Sequence, residues 1–410
     1  MATATKTFEY AVRDKSGKIV KGRVDAPTQA AVATRLRDMG LAAVSITEVG
    51  STGLQKEINI PGFGGNKITL KDLAISGRQL ATMIGSGLSL LRALAILAEQ
   101  TESKPLAKVL AQVRSDVETG QSFSQALAKH PQVYPPLMIN MVRAGEVGGF
   151  LDESLVSIAD NFESEVKLRN KIKSAMTYPV LVFVMAILGV TAMLLFIVPT
   201  FATMFEGLGG ELPLPTRILV WLSGLMKIVG PIVVIALVVF SFWWRKHKND
   251  EAIRNRLDPF KLKLPVFGPL FQKVAMARFT RNFGTMIHSG VPLLQALDIV
   301  GETSGNVVIS RAARDVRDSV RTGQSLAAPL QNHPVFPPMV VQMISVGEDT
   351  GALDTMLHKV SQFYDQEVES TTEALTSIIE PLMILVVGTI IGSMIIAMYM
   401  PIFKIFDLIQ

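Results

Sequence analysis

Few residues in this 410-residue chain have a type and spacing that could do chemistry, and they come in pairs. Gly145-Glu146-x-x-Gly149 returns as Gly347-Glu348-x-x-Gly351, followed by Asp152 and Asp354 respectively. Glycines at such spacing permit tight or left-handed turns. Carboxylates are favoured where a helix begins. One reading is therefore a helix–helix turn. The alternatives for Glu146, Asp152 and Glu153 are a docking surface for a partner or a site for a hard cation, although no calcium-loop spacing is present. Arg78 and Arg281 also recur as a pair; each either bonds a carboxylate of its own bundle or faces a partner. The partner-docking candidates are thus Glu146, Gly149, Asp152, Glu348, Gly351, Asp354, Arg78 and Arg281. Glu163, Glu165, Asp365, Glu367 and Glu369 read as a solvated helix face. His130 and His333 each precede a proline and read as loop-capping residues rather than catalysts.

No catalytic constellation appears. Gly62–Lys67 lacks the spacing of a phosphate-binding loop, and neither HExxH nor GxSxG occurs. The absence of cysteine excludes thiol nucleophiles, disulfides, Cys-ligated zinc and iron–sulfur clusters. The expectation is a protein without enzyme activity, cofactor or metal.

The elements that position these residues are set by hydrophobicity. The chain is 49% hydrophobic and 18% charged, with mean hydropathy +0.36, against about 25% charged residues in a soluble domain. Three apolar runs are long enough to span a bilayer, which takes about 20 residues. They place transmembrane helices at 176–203, 217–244 and 379–403. Tyr178, Trp243, Trp244 and Tyr399 lie at their ends, as in an interfacial aromatic belt. Lys167, Arg169, Lys171 and Lys173 precede the first run, and Arg245, Lys246 and Lys248 follow the second. The loop at 204–216 carries Glu206 and Glu211 and no Lys or Arg. The positive-inside rule then predicts a cytoplasmic N-terminus, a periplasmic loop, a cytoplasmic middle region and an external tail at 404–410. Met1–Tyr10 has no apolar signal-peptide core. The net charge of +5 suits a protein resting on an anionic leaflet. No dense basic stripe with interleaved aromatics points to nucleic acid.

The chain also repeats itself. RQLATMIGSGLSLLRAL (78–94) matches RNFGTMIHSGVPLLQAL (281–297), an offset of 203 (281 minus 78). TGQS recurs at 119–122 and 322–325, and His-Pro at 130–131 and 333–334. After one deletion the glutamate motifs and Pro179/Pro381 match at 202 (381 minus 179). Two cytoplasmic segments therefore each lead into an outward helix, and the second span returns the chain between them. The repeats are parallel rather than inverted.

Apolar 3/4 spacing predicts helices near 70–84, 89–101, 106–118, 122–129, 136–143 and 150–175, with a break at Gly145–Gly149. Gly120 and Gly323 read as C′ glycines, Ser122 and Ser325 as N-caps, and Pro136 and Pro338 as first-turn prolines. The expected architecture is mainly α and integral to the membrane. It has two duplicated six-helix bundles (69–175 and 272–378), three spans, a cytoplasmic linker at 245–271 and a small ββαβ domain at 1–50. Residues 51–68, rich in glycine, read as a linker.

This pattern resembles the inner-membrane platform proteins of type IV pilus and type II secretion machines, the PilC/GspF family. The residues that carry the resemblance are Phe8–Ala26, Leu73–Leu94, the two TGQS segments, Gly145–Leu151, Gly347–Leu353, Pro179 and Pro381. Asp349-Thr350 departs from the small or Gly-rich pair usual there. The resemblance implies a non-enzymatic platform in the bacterial inner membrane, most like the pilus subtype, working as a homodimer or higher homo-oligomer. It implies contact with hexameric assembly and retraction ATPases, pilin, membrane alignment proteins and lipid. The alternatives are a type II secretion platform or, in another class, a membrane transporter.

Overall fold

A computed structural model describes residues 6–13, 19–26, 29–38, 42–48, 67–206, 212–248 and 250–408. The chain divides into two units, Met1–Lys67 and Ile68–Gln410. The expected linker lies outside the described residues up to residue 66.

In the first unit, β1 (Lys6–Arg13), β2 (Ile19–Ala26) and β3 (Ala42–Glu48) pair antiparallel in the order β2-β1-β3. Phe8 pairs with Val24 and Val12 with Val20, and the β1–β3 register shifts between Ala11 and Val12. Between β2 and β3 runs α1 (Gln29–Asp38), which buries Val32 and Leu36, one helical turn apart.

The second unit is helical. Its first repeat comprises α2 (Leu70–Gly85), α3 (Leu90–Gln100), α4 (Lys104–Glu118), α5 (Phe123–Ala128), α6 (Pro136–Gly148) and α7 (Leu151–Ala192). A π turn at Met193–Ile197 joins α7 to α8 (Val198–Glu206); α9 (Leu214–His247) and α10 (Glu251–Lys263) follow. The second repeat comprises α11 (Gly268–His288), α12 (Leu293–Thr303), α13 (Val307–Arg321), α14 (Ala327–Leu330), α15 (Pro338–Thr350) and α16 (Leu353–Leu408). Local signals set these bounds. Thr69 and Asp72 start α2 as a reciprocal capping box, with Asp72 N–H to Thr69 Oγ1 at 3.2 Å and Thr69 N–H to Asp72 Oδ2 at 2.8 Å. Ser122 Oγ accepts from Gln125 N at 3.2 Å, and Ser325 Oγ from Ala328 N at 3.2 Å. Gly120 (φ 94°) and Gly323 (φ 84°) take the left-handed turn that stops the helix before them.

Two features differ from the sequence reading. The helices α6 and α15 run through the expected break and stop only at Gly149 and Gly351. The two six-helix sets close around one continuous core, which takes Leu94, Leu97, Phe123 and Met141 from one repeat and Phe279, Phe283, Leu297 and Ile344 from the other. Periodicity treats each bundle alone and does not report which helix faces meet across repeats. The last helix of each repeat runs on into its membrane run: α7 crosses residue 175 and α16 crosses residue 378 unbroken.

Among the described residues, three helices are long and apolar enough to cross a membrane: Leu151–Phe205, Leu214–His247 and Leu353–Pro401. Leu194 and Val198 pack against Met394 and Met398, with Leu219 beside them, so the three meet in one cluster. The buried Thr216 hydroxyl donates to the Ala397 carbonyl.

Candidate functional site

The glutamate motif is a piece of internal architecture. Glu146 lies on the last turn of α6 and reaches the start of α5. Its Oε1 accepts from Phe123 N, and its Oε2 accepts from Ser124 N at 2.9 Å. With Ser122 taking Gln125 N, the first three amides of α5 all have acceptors. A six-residue helix is far too short to persist alone, and this one carries the buried Phe123 and Leu127. The second repeat does the same: both Glu348 oxygens accept from Leu326 N at 2.9 Å, at the start of α14. In each repeat the glutamate of GExxG therefore caps the short helix that follows TGQS.

The glycines have separate jobs. A Cβ on Gly145 would sit 2.5 Å from Ser154 Oγ and 3.0 Å from Leu151 Cα. A Cβ on Gly347 would sit 2.9 Å from Leu353 Cα. These two glycines let each helical hairpin close. Gly149 (φ 77°) and Gly351 (φ 71°) supply the left-handed residue that turns the chain. Glu146 and Glu348 were expected at the head of the following helix; they instead cap a helix 22–23 residues earlier.

The other candidates separate. Asp152 is exposed. Asp354, its counterpart, holds His288 Nδ1 at 3.1 Å. Arg78 grips Glu163 with two bonds, Nε to Oε1 at 2.6 Å and Nη2 to Oε2 at 2.8 Å, and also donates to Asp160. These carboxylates, Glu163 first, raise the Arg78 guanidinium above its already high ordinary pKa. Arg281 is buried, donates to Asp365 and lies 3.9 Å from Glu165. Among the described residues, no group of three or more His, Asp or Glu side chains is placed to hold a metal ion.

The carboxylates read as a solvated face are all paired. Glu163 meets Arg78, Asp365 meets Arg281, Glu367 meets Lys273 and Glu369 meets Lys171. Glu165 is the hub: Arg278 clasps it with two bonds (2.6 and 3.0 Å), and Arg169 reaches it at 2.6 Å. Apart from Arg169, four residues from Glu165 on α7, these partners lie on other helices, where periodicity cannot find them, and Arg278 and Lys171 pair with carboxylates of the other repeat. One signal was available. Arg278 stands where the first repeat has the apolar Ile75, and contacts across the repeats use positions at which the repeats diverge. A polar cleft of about 580 Å³ lies along this seam, lined by Asp160, Asn161, Arg281, His288 and His358 among others.

Comparison with known proteins agrees with this doubled layout. The sequence model of the family described as "Type II secretion system (T2SS), protein F" matches residues 78–199 and again 279–401. The model of "Type II secretion system protein F, N-terminal domain" matches residues 1–47. The chain is 46% identical to the type IV pilus assembly protein PilC of Thermus thermophilus, over 97% of this chain and 98% of that one. It is 44% identical to the PilC of Myxococcus xanthus, over 99% and 97%. It is 32% identical to the type II secretion system protein F of Aeromonas hydrophila, over 92% and 97%. A match to the family in both halves and at the N-terminus, with relatives aligned almost end to end, places this chain in the type II secretion system protein F family.

Proposed function

We propose that this chain is a non-enzymatic inner-membrane platform for type IV pilus assembly. The observation that carries the reading is end-to-end identity of 44–46% with proteins named for pilus assembly, against 32% for a type II secretion relative. In this reading, residues 69–175 and 245–378 lie in the cytoplasm with the N-terminal ββαβ unit. The spans are 176–203, 217–244 and 379–403, and the tail is periplasmic. Hexameric assembly and retraction ATPases, membrane alignment proteins and pilin are its partners, and the chain works as a homo-oligomer in contact with membrane lipid. Motor work on the bundles reaches the membrane through α7 and α16, which leave the shared core and enter the spans without a break. The hairpin ends remain the docking candidates through their exposed residues: Asp152, and Val147 at 86% exposure. Glu146 and Glu348 support these ends from inside.

Deletion of the chain, followed by electron microscopy for pili and an exoprotein secretion assay, tests the reading. Lost pili with intact secretion is the expected result. Normal pili with lost secretion would move the chain to the type II machine, and neither defect would sink the platform role.

A further inference from the structure

The two repeats treat one groove differently. In the second repeat, the groove between α11 and α16 is filled by α7 of the first. Leu168 and Ile172 pack there with Val274 and Val368. Arg278 holds Glu165, Asn282 accepts from Asn161 at 3.0 Å, and Glu369 pairs with Lys171. The contacts advance together along both long helices, Glu165 beside Asp365 and Lys171 beside Glu369, so α7 and α16 run parallel.

In the first repeat, the equivalent groove between α2 and α7 is open, with a volume of about 680 Å³ and a largely apolar lining. Its lining matches the gripping residues position by position. Subtracting 203 takes Val274, Arg278 and Asn282 to Lys71, Ile75 and Gln79; subtracting 202 takes Val368 and Glu369 to Val166 and Lys167. All five line the groove. Ile75 is 48% exposed.

We infer that this groove receives α16 of a second copy of the chain, in the register that α7 uses inside one copy. The argument is charge and direction. Adding 202 to Lys171 gives Glu373, so the internal pair Lys171–Glu369 becomes Glu373 of the second copy against Lys167. The signs are exchanged and remain complementary. Lys167 and Glu373 are both exposed, and neither forms an ion pair among the described residues. Adding 202 to Asn161 gives Phe363, an aromatic ring 42% exposed that would land beside Gln79, one turn from Ile75. Because the internal contact is parallel, copies joined this way all face the same side of one membrane. The contact is heterologous, and a heterologous contact closes into a ring when its rotation allows.

The inference deepens the proposed platform role and rests on its homo-oligomeric, single-orientation membrane assembly. The chain has no native cysteine, so crosslinking is clean. Full-length Gln79→Cys and Phe363→Cys chains with different tags would be co-expressed and oxidised in membranes. The expected result is a dimer-sized product carrying both tags, with neither variant alone giving it. Lys167→Glu on the first chain should lower its yield about two- to fivefold, the range of an exposed ion pair, and Glu373→Lys on the second should restore it. Three results would overturn the inference. One is Phe363→Cys self-product alone, which means an α16–α16 contact. Another is no mixed product with the Gln79→Cys thiol shielded from maleimide, which means another segment or partner fills the groove. The third is a mixed yield indifferent to both charge changes. Pili are scored in the same cells, so failed crosslinking with normal pili leaves the platform role standing.

Discussion

Replacing Glu146 by alanine separates a cap from a docking group. The carboxylate holds Phe123 N and Ser124 N, both partly buried. Its removal leaves two first-turn amides without acceptors, at a cost of about 1–3 kcal/mol. The helix α5 has six residues and no nucleation reserve, so the loss should open α5 locally before it unfolds the core. At about 1.4 kcal/mol per tenfold change, protection from hydrogen exchange across residues 122–130 should fall about 5- to 150-fold. Peptide-resolved exchange on the full chain in lipid nanodiscs measures this. Protection around Leu94 and Leu97, deep in the core, should change far less. Glu146→Gln keeps one acceptor oxygen and should lie between. Glu348→Ala should expose residues 325–331 in the same way. If exchange is unchanged in both alanine variants while binding of the motor is lost, these carboxylates are docking groups and the capping argument fails.

Gly145→Ala should lower stability by about 1–3 kcal/mol through overpacking against Ser154 and Leu151, read as a drop in thermal unfolding temperature. Gly149→Ala should cost about 1–2 kcal/mol through left-handed backbone strain alone, since nothing crowds its Cβ. Arg278→Ala should destabilise the chain more than Arg78→Ala in the same melt. Arg278 joins the two repeats through Glu165, which is 14% exposed, whereas Arg78 meets carboxylates 47% and 62% exposed, where an ion pair is worth about 0–1 kcal/mol. Four flexible residues inserted after Ser174 should leave the protein in the membrane and abolish pili; normal pilus number would show that the unbroken α7 transmits nothing.

Local grammar carried much of the fold. Thr69-x-x-Asp72, Ser122, Gly120 and Pro136 each act within a few residues, and their signatures sit in consecutive positions. The role of Glu146 was hidden because its acceptors meet amides 22–23 residues away, beyond any helical period. Yet TGQS and GExxG recur together although a deletion intervenes, and in each repeat the glutamate caps the short helix that begins after TGQS. The carboxylates of α7 and α16 misled for a related reason. A run such as Asp365, Glu367 and Glu369 has the look of a solvated face, but Arg281, Lys273 and Lys171 arrive from other helices. The membrane runs were plain, and the last helix of each repeat runs on into its span with Pro179 and Pro381 inside it rather than at a break.

An unbroken helix is also a lever. With 56 residues, α16 is about 84 Å long at 1.5 Å per residue. It is held near both ends, beside Arg281 and Leu357 in the shared core and through Met394 and Met398 in the three-span cluster, so a shift at one end is taken up at the other or by bending at Pro381. Its counterpart is a different arm. The π turn at Met193–Ile197 interrupts the α-helical bonding of the first span where Leu194 meets Met394 and Met398. The two repeats thus join core to membrane unequally, the second by one α-helix and the first through a π turn.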